Sequence, residues 1–250
     1  MARCLIALGG NLCGSESLFQ RAIQLLDAGG DRVLAVSRNF ETRAVGEEAG
    51  GGFLNAAAVL ESAAGPFELL ERLQAIESEC GRERLLRWGP RTLDLDLLLF
   101  GDSVQWESRL ILPHPAMWLR RFVLSSAVAV AGDMWHPQLG QSIDQLWRQL
   151  CTSELMVSVN LSAELVKAED FAGFLEQPML HGAVCFQRPD TAVEADVNWF
   201  ARLDLRRADL RNPPWSYPEA YPGARTLVLF VRSPENAIEQ LRQTATAITG

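Results

Sequence analysis

The segment Leu93-Asp94-Leu95-Asp96-Leu97-Leu98-Leu99-Phe100 constrains the fold more than any other stretch of the chain. Leucine and aspartate alternate at its start. A period of two belongs to a β-strand, in which successive side chains point to opposite faces. Asp94 and Asp96 then project to one face, ~6 to 7 Å apart, while Leu93, Leu95 and Leu97 project into a core. A strand with one polar and one apolar face fits an antiparallel sheet that packs on one side. Two carboxylates at that spacing can share one divalent ion or bracket two. Magnesium is held by one or two carboxylates together with substrate phosphates.

The residues just before the strand carry the opposite charge. Arg82, Arg84, Arg87 and Arg91 fall within ten residues, with Trp88 among them, in a chain of net charge −8 with 31 acidic against 23 basic residues. Local positive density in an acidic protein points to a discrete anion site and away from a broad nucleic-acid surface. Guanidinium forks bind phosphate oxygens bidentately, so arginine suits a polyphosphate. Gly9 to Gly14 has the glycine spacing of a phosphate-binding P-loop. Ser15-Glu16 stands where lysine and serine or threonine are required, which excludes that reading.

At 250 residues the chain is long enough for one large domain or two small ones. Arg3 to Leu8 reads as a buried strand, followed by a helix through Leu18, Ala22, Leu25 and Leu26 that ends at Gly29-Gly30. Val33 to Glu41 and Phe53 to Leu60 read as strands separated by the glycine-rich stretch Gly46 to Gly52. Pro66 opens a helix whose stripe is Phe67, Leu70, Leu73 and Ile76. With the Asp94 strand the order is βαββαβ. That order predicts an α+β, ferredoxin-like sandwich, an antiparallel sheet with helices on one face. Helices at about Met117 to Ala131 and Ile143 to Leu150 complete a domain of residues 1–150.

Arg87 to Phe100 closely resembles the signature of the 6-hydroxymethyl-7,8-dihydropterin pyrophosphokinases. The resemblance runs from Ile6-Ala7-Leu8-Gly9-Gly10-Asn11-Leu12 to Arg120-x-Phe122, and covers about the first 150 residues. It implies transfer of pyrophosphate from ATP to the hydroxymethyl group of a reduced pterin, with AMP released, for folate biosynthesis. By the resemblance, Asp94 and Asp96 hold two magnesium ions, and Arg82 and Arg91 assist the transfer. ATP is bound by Gln74, Glu77, Arg84, Arg87, Trp88, His114 and Arg120, with Arg84, Arg87 and Trp88 in a loop that closes over the nucleotide. Thr42, Val45, Phe53, Asn55 and Phe122 form the pterin pocket. Arg43-Ala44 stands where the family usually has proline, and Gly50-Gly51-Gly52 is a further departure. Three adjacent glycines carry a large ordering entropy, so weaker pterin binding than in proline-containing relatives is expected.

From about Cys151 the composition changes. Strands are expected at Leu155 to Leu161, Gly182 to Phe186, Trp199 to Leu205 and Thr226 to Val231. A final helix starts behind Ser233-Pro234 with the stripe Ala237, Ile238, Leu241, Ala245 and Ile248. Residues 151–250 read as a small α+β domain of unknown function. An interaction or self-association module is expected, with the Trp215 to Tyr221 loop as its contact surface, and a second folate-related activity is the alternative. Five scattered cysteines without a Cys-x-x-Cys pair suit reduced thiols. No run approaches the ~20 apolar residues of a membrane helix. A cytoplasmic protein with small-molecule substrates, and neither a nucleic acid nor a membrane as partner, is the expectation.

Overall fold

The period-two and helical patterns of the first half produce β1 (Ala2–Asn11), α1 (Ser15–Ala28), β2 (Arg32–Val36), β3 (Phe40–Arg43), β4 (Gly52–Ser62), α2 (Pro66–Glu79) and β5 (Asp94–Phe100). The structure is a computed structural model that describes residues 1–11, 14–43, 52–81, 93–151, 155–171, 175, 179–181, 184–187, 201–207, 226–231 and 233–249. It divides into two compact units, Met1–Arg148 and Gln149–Thr249.

The first sheet is antiparallel throughout, in the order β2-β4-β1-β5, with β3 also paired to β4. Sequence periodicity predicts one strand from Val33 to Glu41; the structure has two. Ser37 is the reason. Its N–H donates to the Ala57 carbonyl at 2.8 Å, and its hydroxyl accepts from the Ala57 N–H at 2.9 Å. Val36 lies opposite Ala58, yet Phe40 lies opposite Asn55. Four steps on one strand therefore span three on the other, the geometry of a bulge that bends the edge and re-aims the residues beyond it.

One face of this sheet forms a sealed core. Phe19, Ala22 and Leu26 of α1 and Leu69, Leu73 and Ile76 of α2 pack on Cys4, Ile6 and Leu8 of β1. Leu54, Ala56, Ala58 and Leu60 of β4 and Leu95 and Leu97 of β5 complete the layer. Each buried leucine contributes ~1.5 to 3 kcal/mol relative to exposure. Helices do not stay on that face alone. After the hairpin β6 (Gln105–Glu107) and β7 (Leu110–Leu112), α3 (Arg121–Ala131) lies against β4, β1 and β3. Its buried residues Val123, Leu124 and Ala127 are separate from the α1–α2 core, as are the buried strand residues Leu5, Ala57 and Val59. The unit ends with the hairpin β8 (Trp135–His136) and β9 (Gln141–Ser142), followed by α4 (Ile143–Leu150).

The second unit contains β10 (Leu155–Leu161), α5 (Ala163–Val166), β11 (Met179–His181), β12 (Val184–Gln187), β13 (Ala201–Arg207), β14 (Thr226–Val231) and α6 (Pro234–Thr249). Its strand order is β11-β12-β10-β13-β14, parallel except for β11. Leu155, Val157, Val159, Val184, Phe186, Leu203 and Leu205 are fully or nearly buried. Ser233 caps α6 by accepting a bond from the Asn236 N–H at 3.3 Å. Ala237, Leu241, Ala245 and Ile248 form the helix's buried stripe. Among the described residues, no helix is long and apolar enough to cross a membrane.

Candidate active site

Residues directly opposite each other in an antiparallel ladder project from the same face. Phe40 of β3 is opposite Asn55 of β4, Asn55 is opposite Gly9 of β1, and Gly9 is opposite Asp94 of β5. These four residues make one transverse row across four strands. The adjoining positions continue it. Thr42 is opposite Phe53 on one side of the row, and Ala57, Ala7 and Asp96 are aligned on the other. Asp94 and Asp96 are half-buried, and they alternate with the buried Leu93, Leu95 and Leu97.

Gly9 is the low point of the row. A Cβ at this position would lie 3.9 Å from Asn55 Oδ1 and 3.9 Å from Asp94 Cβ. Glycine therefore leaves a trough between an amide and a carboxylate. Asn55 is itself nearly buried and donates from Nδ2 to Thr42 Oγ1 at 2.8 Å. That bond orients the amide, with its oxygen on the Gly9 side. A buried amide without partners costs ~1 to 3 kcal/mol, so Thr42 both satisfies and aims it.

Two contacts fasten the outer edge of β5. The Leu95 N–H donates to Glu77 Oε1 at 2.8 Å, and the His114 N–H donates to the Leu98 carbonyl at 2.9 Å. His114 Nδ1 accepts from the Ala116 N–H at 3.3 Å. In the neutral ring Nε2 then carries the proton and can donate. Burial pushes the His114 pKa down to about 4; Asp96 and Asp94 pull it upward and the Arg120 charge pushes it down. The imidazole thus feels both aspartates and Arg120 at once. Arg120 also lies over the Phe122 ring, 5.8 Å from its centre. Phe122 is in the first turn of α3.

The structure thus brings Thr42, Phe53, Asn55, Asp94 and Asp96 to one sheet face, with His114 within electrostatic reach of both aspartates and of Arg120. Gln74 and Glu77 sit on α2, which packs against β5, in the helical layer behind that face. Val45, Arg82, Arg84, Arg87, Trp88 and Arg91 lie outside the described residues, as does the Gly50 to Gly51 part of the glycine run. Phe40 joins the row although sequence reasoning does not single it out. Its signal is the alternation Phe40, Thr42 along one strand, hidden because Ser37 breaks the longer strand expected there. Arg38 caps Phe40 from outside, 4.7 Å from its ring centre.

The donor set is suited to a hard cation. Two carboxylates on one face offer oxygen ligands only, and substrate phosphates would supply the remainder of a magnesium shell. No group of three or more His, Cys, Asp or Glu residues that could hold a metal occurs among the described residues. An all-protein metal cage is therefore absent there.

The model of the family described as 7,8-dihydro-6-hydroxymethylpterin-pyrophosphokinase matches residues 5–132. A Bacillus subtilis 2-amino-4-hydroxy-6-hydroxymethyldihydropteridine pyrophosphokinase is 40% identical over 149 residues, covering 58% of this chain and 89% of that protein. The Synechocystis protein of the same name is 39% identical over 159 residues, covering 63% and 81%. A solved structure described as HPPK-DHPS in complex with substrates aligns with TM-score 0.47 at 12% identity, over 64% of this chain and 50% of that one. The chain thus spans about half the length of that solved chain. The matched residues end before the second unit begins. With a family model covering more than half of its length, the chain belongs to the 7,8-dihydro-6-hydroxymethylpterin-pyrophosphokinase family.

Proposed function

We propose that the first unit transfers the terminal pyrophosphate of ATP to the hydroxymethyl group of 6-hydroxymethyl-7,8-dihydropterin, and that the face bearing Asn55, Gly9 and Asp94 is where the two substrates meet. The observation that carries this reading is the shared row: a pterin-type amide and a carboxylate on neighbouring strands, separated only by a glycine. Pterin is flat, with polar edges, and needs aromatic faces and an amide at its rim. Phe53, Phe122 and Asn55 supply these, with Thr42 orienting the amide and Val45 in the adjoining segment.

The pterin hydroxyl oxygen forms a bond to the β-phosphorus of ATP as the bond from that phosphorus to the α,β-bridging oxygen breaks. AMP leaves with the bridging oxygen, and the hydroxyl proton passes to solvent. Such a transfer depends on in-line positioning and charge stabilisation more than on covalent help. Two magnesium ions, held by Asp94 and Asp96, would neutralise phosphate charge and steady the attacking and leaving oxygens. His114 Nε2, protonated because Nδ1 is occupied, donates to a phosphate oxygen, and Arg120 adds a positive charge beside it. Arg82 and Arg91 assist the transfer. Arg84, Arg87 and Trp88 complete the nucleotide side, closing over it to exclude water.

Incubation with Mg-ATP and 6-hydroxymethyl-7,8-dihydropterin should release AMP in equal amount with pterin diphosphate. ADP as the product, or no turnover, would overturn the reading. A cytoplasmic location is part of the proposal, supported by Cys4 and Cys80, whose thiols form no disulfide. We assign the second unit an interaction or self-association role. The Trp215 to Tyr221 loop expected to carry it lies outside the described residues.

A further inference from the structure

We propose that Glu77 is a positioning residue for the carboxylate pair, fixing Asp94 and Asp96 from behind through the backbone of Leu95. The inference rests on the reading of those aspartates as the cation site.

Among the described residues, β5 is the last strand of its sheet and pairs only with β1. Backbone groups on its outer edge therefore have no neighbouring strand there to hold them. The peptide N–H of Leu95 is one of these, and it belongs to the residue between the two aspartates. Glu77 Oε1 accepts from it at 2.8 Å. Fixing that peptide group limits rotation on both sides, so one bond restrains the Cα positions of Asp94 and Asp96 together. The His114 N–H bond to the Leu98 carbonyl, at 2.9 Å, anchors the same edge beyond Asp96.

The cost of Glu77 argues that it has such a role. It lies four residues after Leu73 on α2, on the stripe that carries Leu69, Leu73 and Ile76 into the core, and is only 3% exposed. Burying a carboxylate is unfavourable unless its hydrogen bonds compensate, and an apolar residue of similar size is often as stable or more so. An acid retained at a core position is explained by what it holds. Leu95 points toward α2 while its two neighbours point to the opposite face. Glu77 therefore acts on the aspartates without sharing their face. Residues that orient metal ligands in this way typically change metal affinity ten- to a hundredfold when removed.

The test uses the whole chain with manganese as a paramagnetic stand-in and a non-hydrolysable ATP analogue, so that binding is read by electron paramagnetic resonance with no turnover. Glu77→Ala should weaken manganese binding by roughly tenfold or more. Glu77→Gln keeps an oxygen that accepts from the Leu95 N–H, and should recover binding to within about threefold of the parent. Affinity for the analogue without metal should be the same in all three. If Glu77→Ala does not fold, Glu77→Met fills the site without an oxygen and takes its place. Manganese bound as tightly without the acceptor as with it would overturn the proposal. So would a Glu77→Gln defect as large as that of Glu77→Ala, or a loss confined to metal-free nucleotide binding. Asp94→Asn is the control for the underlying reading: undiminished manganese binding there would remove the cation site itself, whatever the Glu77 variants do.

Discussion

Cys4, Ile6 and Leu8 of β1 point into the layer sealed by α1 and α2, whereas Leu5, Ala7 and Gly9 point to the face shared with α3. On the sealed side the residues stay large enough to fill space and all are buried. On the other side they shrink from leucine to alanine to glycine, and exposure rises from none at Leu5 to half-buried at Ala7 and Gly9. On the same face β4 carries Val59, Ala57 and the polar Asn55, all buried, and β5 exchanges Leu99 for the half-buried Asp96 and Asp94. One set of strands can thus run a dry core and a wet site because the side-chain period is two. A change at one residue alters stability or chemistry according to its parity.

The largest effect expected from this contrast is on turnover. Asp94→Asn or Asp96→Asn should reduce the rate on the order of a thousandfold, as loss of a charge-stabilising group does, with circular dichroism and Tm unchanged. On the sealed face the outcome should invert. Leu73→Ala should cost about 2 to 5 kcal/mol in denaturant unfolding, while kcat per folded molecule stays near that of the parent. A Leu73→Ala enzyme with normal stability and lost catalysis would break the distinction between the faces.

Gly9 sharpens the comparison. Gly9→Val should lower kcat/KM on the order of a hundredfold by displacing the reacting groups. Gly9→Ala should be much milder, because its Cβ would meet its neighbours at 3.9 Å, an ordinary contact. Equal effects of the two would mean that the trough holds no substrate.

Acid sensitivity should belong to the scaffold as well as to the site. His136 is nearly fully buried, its Nδ1 accepts from the Leu139 N–H, and burial pushes its pKa down to about 4. A neutral buried imidazole resists protonation in the folded chain more than in the unfolded one. Its contribution is therefore complete above about pH 6.5 and is lost as pH falls toward 4. Between pH 6.5 and 5.5 the parent should lose about 1 kcal/mol more than His136→Gln, which cannot titrate. Parallel unfolding curves across that range would contradict this. The smallest effect is at Thr42→Val, which leaves Asn55 Nδ2 without its bond. A loss of about 1 kcal/mol should raise the pterin KM severalfold and leave the ATP KM alone.

Part of the candidate site was legible because its signals are local. The alternation around Asp94 and Asp96 needs only eight consecutive residues, whereas Glu77 enters only through the family resemblance, as a nucleotide residue. What the sequence hides is pairing. That Gly9 stands between Asn55 and Asp94 depends on register among three strands far apart in the chain, which no local period encodes. The single strand expected from Val33 to Glu41 breaks at Ser37, where a hydroxyl takes over a backbone bond and advances the register. The place of Phe40 in the row depends on that break. Placement of α3 across the sheet from α1 and α2 is likewise hidden, because an apolar helix stripe does not say which face it covers. In the second unit the strands and the final helix are readable as apolar runs, but their parallel order is not, since strand direction is set by the connections.

The most direct test of the account is a crystal structure of the full chain with magnesium, a non-hydrolysable ATP analogue and 6-hydroxymethyl-7,8-dihydropterin. Metal ions should lie on the Asp94 and Asp96 carboxylates, with the pterin edge bonded to Asn55 and the hydroxymethyl group over Gly9 facing the β-phosphorus. Nucleotide or pterin bound on the α1–α2 side, or in the second unit with that trough left empty, would contradict it.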